Sequence, residues 1–560
     1  MRHNLNKFSK NLTQKKQNAS AQAMLYGLGL TKKDLEKPQI GIGTVWFEGN
    51  PCNSKLDVLS DKVKTSLKNK EFLGMRFNTV GVSDGKTMGT DSMRFSLPSR
   101  ELITDSIETM VTAEHYDGCI LIPGCDKNLP AAAMALARVN RPGFIIYGGS
   151  MRPSSKVING EFQDLDIVSS FEAYGRYIKG EINDNERENI IQNACHKNCG
   201  SCSGFYTANT MACLLEVMGL TLPNSSSNMS LSNEKYLECE NSFDVINNLL
   251  THDIKPLDIM TKESFINAIK FLTIIGGSTN GIIHLLAMAK TAKVDLSLDD
   301  FKNYEYLPVL TNMKPHGIYV MNDLYKMGGT SLLIKFLIDQ NILNGNCLTV
   351  TGKTLFDNVK YVDEIDFSKN IILPKESPFK KKSHINILFG NLAPNGCVSK
   401  IYSENLLFSG KAKVFDNQED MLESLEKGEI KSNNFIILRY QGESIGCPEM
   451  LTPTSALVGY FNSRGKSSIP PFATDGRFSG GSTGVLVAHL PDAYKKTITS
   501  VIQDNDLISI NMKNNSITID VSEDEIKKRL NKVVIPELKL EGYLEKYRKL
   551  VTNLDSGYLT

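Results

Sequence analysis

Cys119-Ile120-Leu121-Ile122-Pro123-Gly124-Cys125-Asp126-Lys127-Asn128-Leu129-Pro130, continuing through an Ala-rich run to Phe144-Ile145-Ile146-Tyr147 and Gly148-Gly149, decides the fold. The apolar run 119–122 reads as a short buried strand and 124–129 as a loop. Pro130 suits the first position of the helix that follows, AAAMALARV. The run 144–147 reads as the next strand. The pattern is one strand–helix–strand unit of an α/β domain, with Cys125 and Asp126 at the carboxyl end of its first strand. Open α/β sheets place ligands at that end.

Two other cysteines sit in similar loops: Cys52 in Pro51-Cys52-Asn53, and Cys202 in Cys199-Gly200-Ser201-Cys202-Ser203-Gly204. After Cys202, residues 205–218 read as a helix with Gly219 at its C-terminus. That places Cys202 just before the positive end of the helix dipole, which favours a thiolate. Soft thiolates select iron–sulfur or zinc, whereas carboxylates select magnesium or manganese. Thiolates and carboxylates this close therefore point to two kinds of metal. Lys127 stands beside them. Burial disfavours an ammonium, and a neutral amine can add carbon dioxide to become an anionic carbamate. Cys119, Cys213 and Cys239 lie in apolar or helical contexts and read as core.

Residues 374–382, PKESPFKKK, are polar, basic and contain two prolines, so they read as the linker between a domain over 1–373 and another over 383–560. Beyond the linker the pattern becomes strand-rich, at 385–389, 411–415 and 435–438. A hairpin follows, with 507–512 and 516–521 alternating in period two around Asn514-Asn515. The expected architecture is an N-terminal α/β domain with a mainly parallel sheet and a C-terminal β-barrel-like domain.

At 560 residues with net charge +1, the chain has room for more than one core, and its charge favours neither nucleic acid nor a membrane surface as partner. No apolar run reaches the length of a membrane span. Eleven cysteines without a secretory signal fit a reducing compartment. The basic N-terminus is compatible with an organellar leader, yet Arg2 is the only arginine before Arg76, and a cytoplasmic location is expected.

Several motifs admit more than one reading. Gly85-Lys86-Thr87 and Gly352-Lys353-Thr354 lack the upstream glycine of a nucleotide-binding P-loop. Gly276-Gly277-Ser278-Thr279-Asn280 reads as a helix-capping loop, with His284 in the core. Cys195, Cys199 and Cys202 have the C-x3-C-x2-C spacing found in radical enzymes that bind a 4Fe–4S cluster and S-adenosylmethionine. The glycine-rich loop Asp475–Gly484 reads either as an anion-binding turn or as the holder of a serine base, Ser479, which needs a nearby cation to ionise.

Taken together, the segments resemble the dihydroxy-acid dehydratase family, which includes sugar-acid dehydratases. The resemblance is carried by Pro51-Cys52-Asn53, SDGKTMG at 83–89, RFSLPSRELITDSIETM at 94–110, GCDKNLP at 124–130 and SCSGFYTANTM at 201–211. It continues through GGSTN at 276–280, GNLAPNG at 390–396, PEMLTPTSA at 448–456 and DGRFSGG at 475–481. It implies an iron–sulfur cluster on Cys52, Cys125 and Cys202, with 2Fe–2S favoured over 4Fe–4S. It also implies magnesium on Asp84, Asp126 and Glu449 with Lys127 as carbamate, Ser479 as base, and a homodimer. Cys195 and Cys199 would be bystanders. The implied activity is dehydration of 2,3-dihydroxy-3-methylbutanoate and its 3-methylpentanoate homologue in valine and isoleucine biosynthesis. A sugar acid is the alternative substrate. The chain departs from the family at 441–449, where QGESIGCPE replaces a longer Gly/Pro-rich run, and at 464–471, which is longer than usual.

Overall fold

The computed structural model describes residues 5–68, 70–158, 161–195, 197, 199–403, 405–461 and 469–560. The segment 464–468, part of the long stretch noted above, lies outside them.

Strands β1 (Gln39–Thr44), β2 (Leu73–Asn78), β3 (Gly118–Ile122) and β4 (Gly143–Ile145) form one sheet in the order β2-β1-β3-β4, every pair parallel. β1 and β3 are buried along their whole length, as the apolar run of β3 requires in a sheet covered on both faces. Helices α1 (Leu56–Lys68), α2 (Ser96–Ala113) and α3 (Asn128–Val139) accompany these strands. The helix after Cys125 begins at Asn128 rather than Pro130. Proline is tolerated two positions inside because the first-turn N–H groups have no partner within the helix. β4 is also shorter than expected, ending at Ile145.

A hairpin, β5 (Ser154–Ile158) and β6 (Glu161–Leu165), leads into α4 (Ile167–Ile178), whose first turn is capped by the Asp166 carboxylate. Further on lie α5 (Thr207–Val217), followed by Gly219 at φ +85° as expected, and α6 (Asn280–Thr291).

After residue 384 the chain forms a closed eight-stranded barrel. Its strands are β7 (Ile385–Gly390), β8 (Ala393–Ile401), β9 (Leu407–Phe415), β10 (Asn434–Leu438), β11 (Phe472–Thr474), β12 (Val485–Ala488), β13 (Leu507–Asn511) and β14 (Ser516–Ile519). The run β9-β10-β11-β12 is parallel, and the expected hairpin is β13–β14. Phe435, Ile437, Val487, Ile508 and Ile517 are among the residues of one buried barrel cluster, so the barrel is a packed core and only its rim can carry a site. Helix α7 (Leu451–Phe461) leaves the barrel between β10 and β11 and packs on α4 of the N-terminal half. The C-terminus also returns to that half: Arg100 of α2 donates to the Gly557 and Tyr558 carbonyls at 2.7 and 3.1 Å.

Candidate active site

Loops after β1, β2 and β3 meet loops after β10 and β11 around one cavity of about 210 Å³. Cys52, Cys125, Cys202, Asp84, Asp126, Glu449 and Ser479 all line it. These are seven of the eight residues expected from the sequence. The eighth, Lys127, lies directly behind the carboxylates.

The thiols come together because their loops touch. A Cβ on Gly124 would stand 2.2 Å from the Cys52 carbonyl oxygen, so only glycine lets the two loops approach this closely. Asn53 Nδ2 donates to Val45 O and to Asn128 Oδ1, and Asn128 Oδ1 also accepts from Cys125 N at 3.0 Å. The Gly200 N–H donates to the Pro51 carbonyl at 3.0 Å, and Ser201 Oγ to the Gly124 carbonyl, which closes the third loop on the other two. Cys202 stands five residues ahead of α5, whose helical residues start at Thr207, so the helix dipole does not reach it as expected. Its carbonyl instead accepts from Asn209 Nδ2 and Ser150 Oγ. For Cys52, contact with Cys125 acts to lower the thiol, but contact with Cys202 and burial push it well above its usual range. Contact with Cys52 and then burial raise Cys125. For Cys202, contact with Cys52 opposes burial and burial prevails. Such thiols resist ionising together unless a cation joins them. A soft metal centre is the group that fits three converging sulfurs.

The fourth and fifth cysteines separate. Cys199 does not line the cavity; its Sγ lies 3.4 Å from Ser230 Oγ. Cys195, expected as a bystander, does line it. All eleven cysteines are unpaired.

Asp84, Asp126 and Glu449 each offer an oxygen within 4.8 Å of the others and could hold a metal ion. Lys127 Nζ lies 2.5 Å from Asp84, 3.0 Å from Glu449 and 3.7 Å from Asp126. Burial and Arg477 work against its ammonium form, but the three carboxylates outweigh them and its pKa is raised. Burial pushes Asp126 up to about 7, against Lys127. Burial opposes ionisation of Glu449, yet Arg477 and Lys127 hold it down at about 2. Glu449 Oε1 takes donors from Lys127, Asn280 and Arg477, while the buried Oε2 has no partner. A bare carboxylate oxygen in this setting suits a hard cation.

Asn280 was not singled out by sequence. The 276–280 loop leads into α6 as expected, with Ser278 Oγ accepting from the Asn280 N–H at 3.2 Å, while the Asn280 side-chain amide donates to Glu449 Oε1 at 2.8 Å. Arg477 was quoted only within its motif and assigned no role. Neither type nor spacing could have signalled either residue, since their partner lies 169 and 28 positions away. His284 is core, as expected; burial, then Arg100, hold it neutral.

Ser479 is buried, and its Oγ accepts a long 3.5 Å bond from the Gly481 N–H. A Cβ on Gly480 would meet the Tyr206 and Thr207 backbone at 2.6 Å, so glycine is what seats this barrel loop on the start of α5. Lys400 Nζ of β8 donates to the Gly480 carbonyl at 2.8 Å. Met88, Ile167, Val168, Phe171 and Leu451 also line the cavity and give it an apolar wall.

The family model described as dihydroxy-acid/6-phosphogluconate dehydratase N-terminal matches residues 37–358, and the corresponding C-terminal model matches residues 370–558. A protein named dihydroxy-acid dehydratase from Francisella tularensis subsp. novicida is 47% identical over 566 residues, covering 100% of both chains. One of that name from Flavobacterium psychrophilum is 44% identical over 99% of each. A mitochondrial one from Aspergillus terreus is 44% identical over 99% of this chain and 93% of its own. No helix among the described residues is long and apolar enough to cross a membrane.

Proposed function

The chain belongs to the dihydroxy-acid/6-phosphogluconate dehydratase family, and from that premise we propose that it is a hydro-lyase converting 2,3-dihydroxy-3-methylbutanoate, and the 3-methylpentanoate homologue, to the 2-keto acid and water. The observation that carries the proposal is one cavity lined at once by Cys52, Cys125, Cys202, Asp84, Asp126, Glu449, Ser479 and a set of apolar side chains. Cys52, Cys125 and Cys202 would hold a 2Fe–2S cluster. Asp84, Asp126 and Glu449 would hold Mg²⁺, with Lys127 as its carbamate. In this reading the chain divides at 374–382 into an α/β domain over 1–373 and a barrel domain over 383–560, and it works as a cytoplasmic homodimer in branched-chain amino-acid biosynthesis.

The reaction must take a weakly acidic proton from C2 and expel a poor leaving group, the C3 hydroxyl. When bound, the two metal centres supply Lewis acidity toward the substrate oxygens. Ser479 Oγ, in the alkoxide form that a cation held beside it would favour, would be the base for the C2 proton. The enol so formed tautomerises to the keto acid; the lost proton and hydroxyl make up one water. Ile167, Val168, Phe171 and Leu451 receive the branched alkyl end and exclude water from it. The same wall disfavours a sugar acid, whose added hydroxyls would find no partner on it.

Side-by-side turnover of 2,3-dihydroxy-3-methylbutanoate and gluconate, following 2-keto acid under anaerobic conditions with Mg²⁺, tests the assignment. The branched substrate is expected to win by roughly 10²-fold or more in kcat/KM. Equal or better turnover of gluconate would move the chain to the sugar-acid branch of the family.

A further inference from the structure

Arg477 is a fully buried guanidinium two residues before Ser479, and none of the chemistry above uses it. Its Nε donates to the Cys447 carbonyl at 2.7 Å, and its Nη1 to Glu449 Oε1 and to Asn280 Oδ1 at 3.2 Å. Its Nη2 donates to Ser96 Oγ at 3.1 Å, and Ser96 in turn donates to Asp84 Oδ1 at 2.8 Å. One planar group therefore grips Glu449 directly and Asp84 through a single hydroxyl, while rooted in the loop that carries the serine. A guanidinium keeps its proton in proteins and presents its donors in a fixed plane, which a lysine ammonium cannot reproduce.

The consequence at Glu449 is an asymmetry. Arg477, Asn280 and Lys127 all donate to Oε1, and Oε2 is left bare. At Asp84, Oδ1 takes the Ser96 hydroxyl while Oδ2 faces Lys127. In both carboxylates one oxygen is anchored through Arg477 and the other is turned to a different task.

We propose that Arg477 is the positioning residue of the metal site: through Glu449 Oε1 and the Ser96–Asp84 relay it presets two of the three carboxylates, and it ties their geometry to the Ser479 loop. The inference rests on Asp84, Asp126 and Glu449 holding the divalent ion. If Lys127 becomes a carbamate, a cation of the cluster turns anionic, and the Arg477 guanidinium remains to offset the carboxylate charge.

The test uses full-length, cluster-loaded protein stripped of divalent ions and titrated with Mn²⁺ as a spectroscopic probe, in wild type, Arg477→Lys, Ser96→Ala and Asp84→Asn. Arg477→Lys is expected to weaken Mn²⁺ binding by roughly tenfold or more, the scale of one charge-assisted hydrogen bond lost in a buried site. Ser96→Ala should weaken it several-fold, and iron content should stay at the wild-type level in both. Ser96→Ala deletes one small hydroxyl and decides the matter if Arg477→Lys does not fold. Wild-type Mn²⁺ affinity in the folded variants, while Asp84→Asn loses the ion, overturns the role of Arg477 alone. Mn²⁺ binding unchanged even in Asp84→Asn overturns the metal assignment instead. Loss of iron together with Mn²⁺ in both variants marks a merely structural arginine and also overturns the inference.

Discussion

The two walls of the cavity are built on opposite plans. On the α/β side, short loops at the carboxyl ends of β1, β2 and β3 deliver Cys52, Asp84, Cys125, Asp126 and Lys127, and the loop ahead of α5 adds Cys202. On the barrel side the interior is filled with apolar side chains, and among the described residues the connections after β10 and β11 reach the cavity with Glu449 and Ser479, while Arg477 pairs with Glu449. One wall carries Cys52, Cys125 and Cys202 with two carboxylates; the other brings a single carboxylate and Ser479, the base in the proposed function. If the proposed function holds, the first wall binds its cluster without the second, while turnover needs both.

Four substitutions probe that contrast, in order of expected effect. Cys125→Ser should abolish both the cluster absorbance and activity, whereas Cys199→Ala, outside the cavity, should leave both intact; an unchanged spectrum in Cys125→Ser removes it as a ligand. Ser479→Ala should keep its iron but lose roughly 10²–10⁴-fold in kcat, the usual contribution of a positioned base; near-normal turnover would remove the serine from the mechanism. Leu451→Ala, which trims the apolar wall, should lower kcat/KM for the branched substrate about tenfold with little change in iron or Mg²⁺ content. If instead it lost metal, the wall would be part of the metal site.

The smallest effect concerns Lys400, which braces the barrel loop. Burial lowers its amine to about 7, while in the unfolded chain a lysine holds its proton to about 10.4. Between these values the unfolded state binds more protons, so this group makes stability rise with pH across that window; below about 7 its cost is fully present. The Tm of wild type should therefore gain on that of Lys400→Met as pH rises from 7 to 8.5. A constant difference between the two would show that the amine is charged throughout.

Much of the first wall is legible in the sequence because its donors sit in Gly/Pro/Asn loops, one of them directly after an apolar run, as in Ile122-Pro123-Gly124-Cys125. The barrel is legible in part. The β13–β14 hairpin announces itself by alternation around Asn514-Asn515, but β8 starts with Ala393-Pro394-Asn395-Gly396, which reads as a turn, and β11 has only three residues. Ser479 was offered by its glycine-rich loop as one of two readings, but Glu449 was reached through the family resemblance alone, since Lys127 and Glu449 are 322 positions apart and meet only after both halves have folded. Arg477 and Asn280 stayed invisible as partners for the same reason.

The most direct measurement of the central claim combines iron and sulfide analysis with anaerobic turnover of 2,3-dihydroxy-3-methylbutanoate on the same Mg²⁺-supplied sample. The account predicts a 2Fe–2S cluster, hence about two irons and two sulfides per chain, together with formation of the 2-keto acid. A complete cluster without any keto acid, or keto acid from protein devoid of iron, would contradict it.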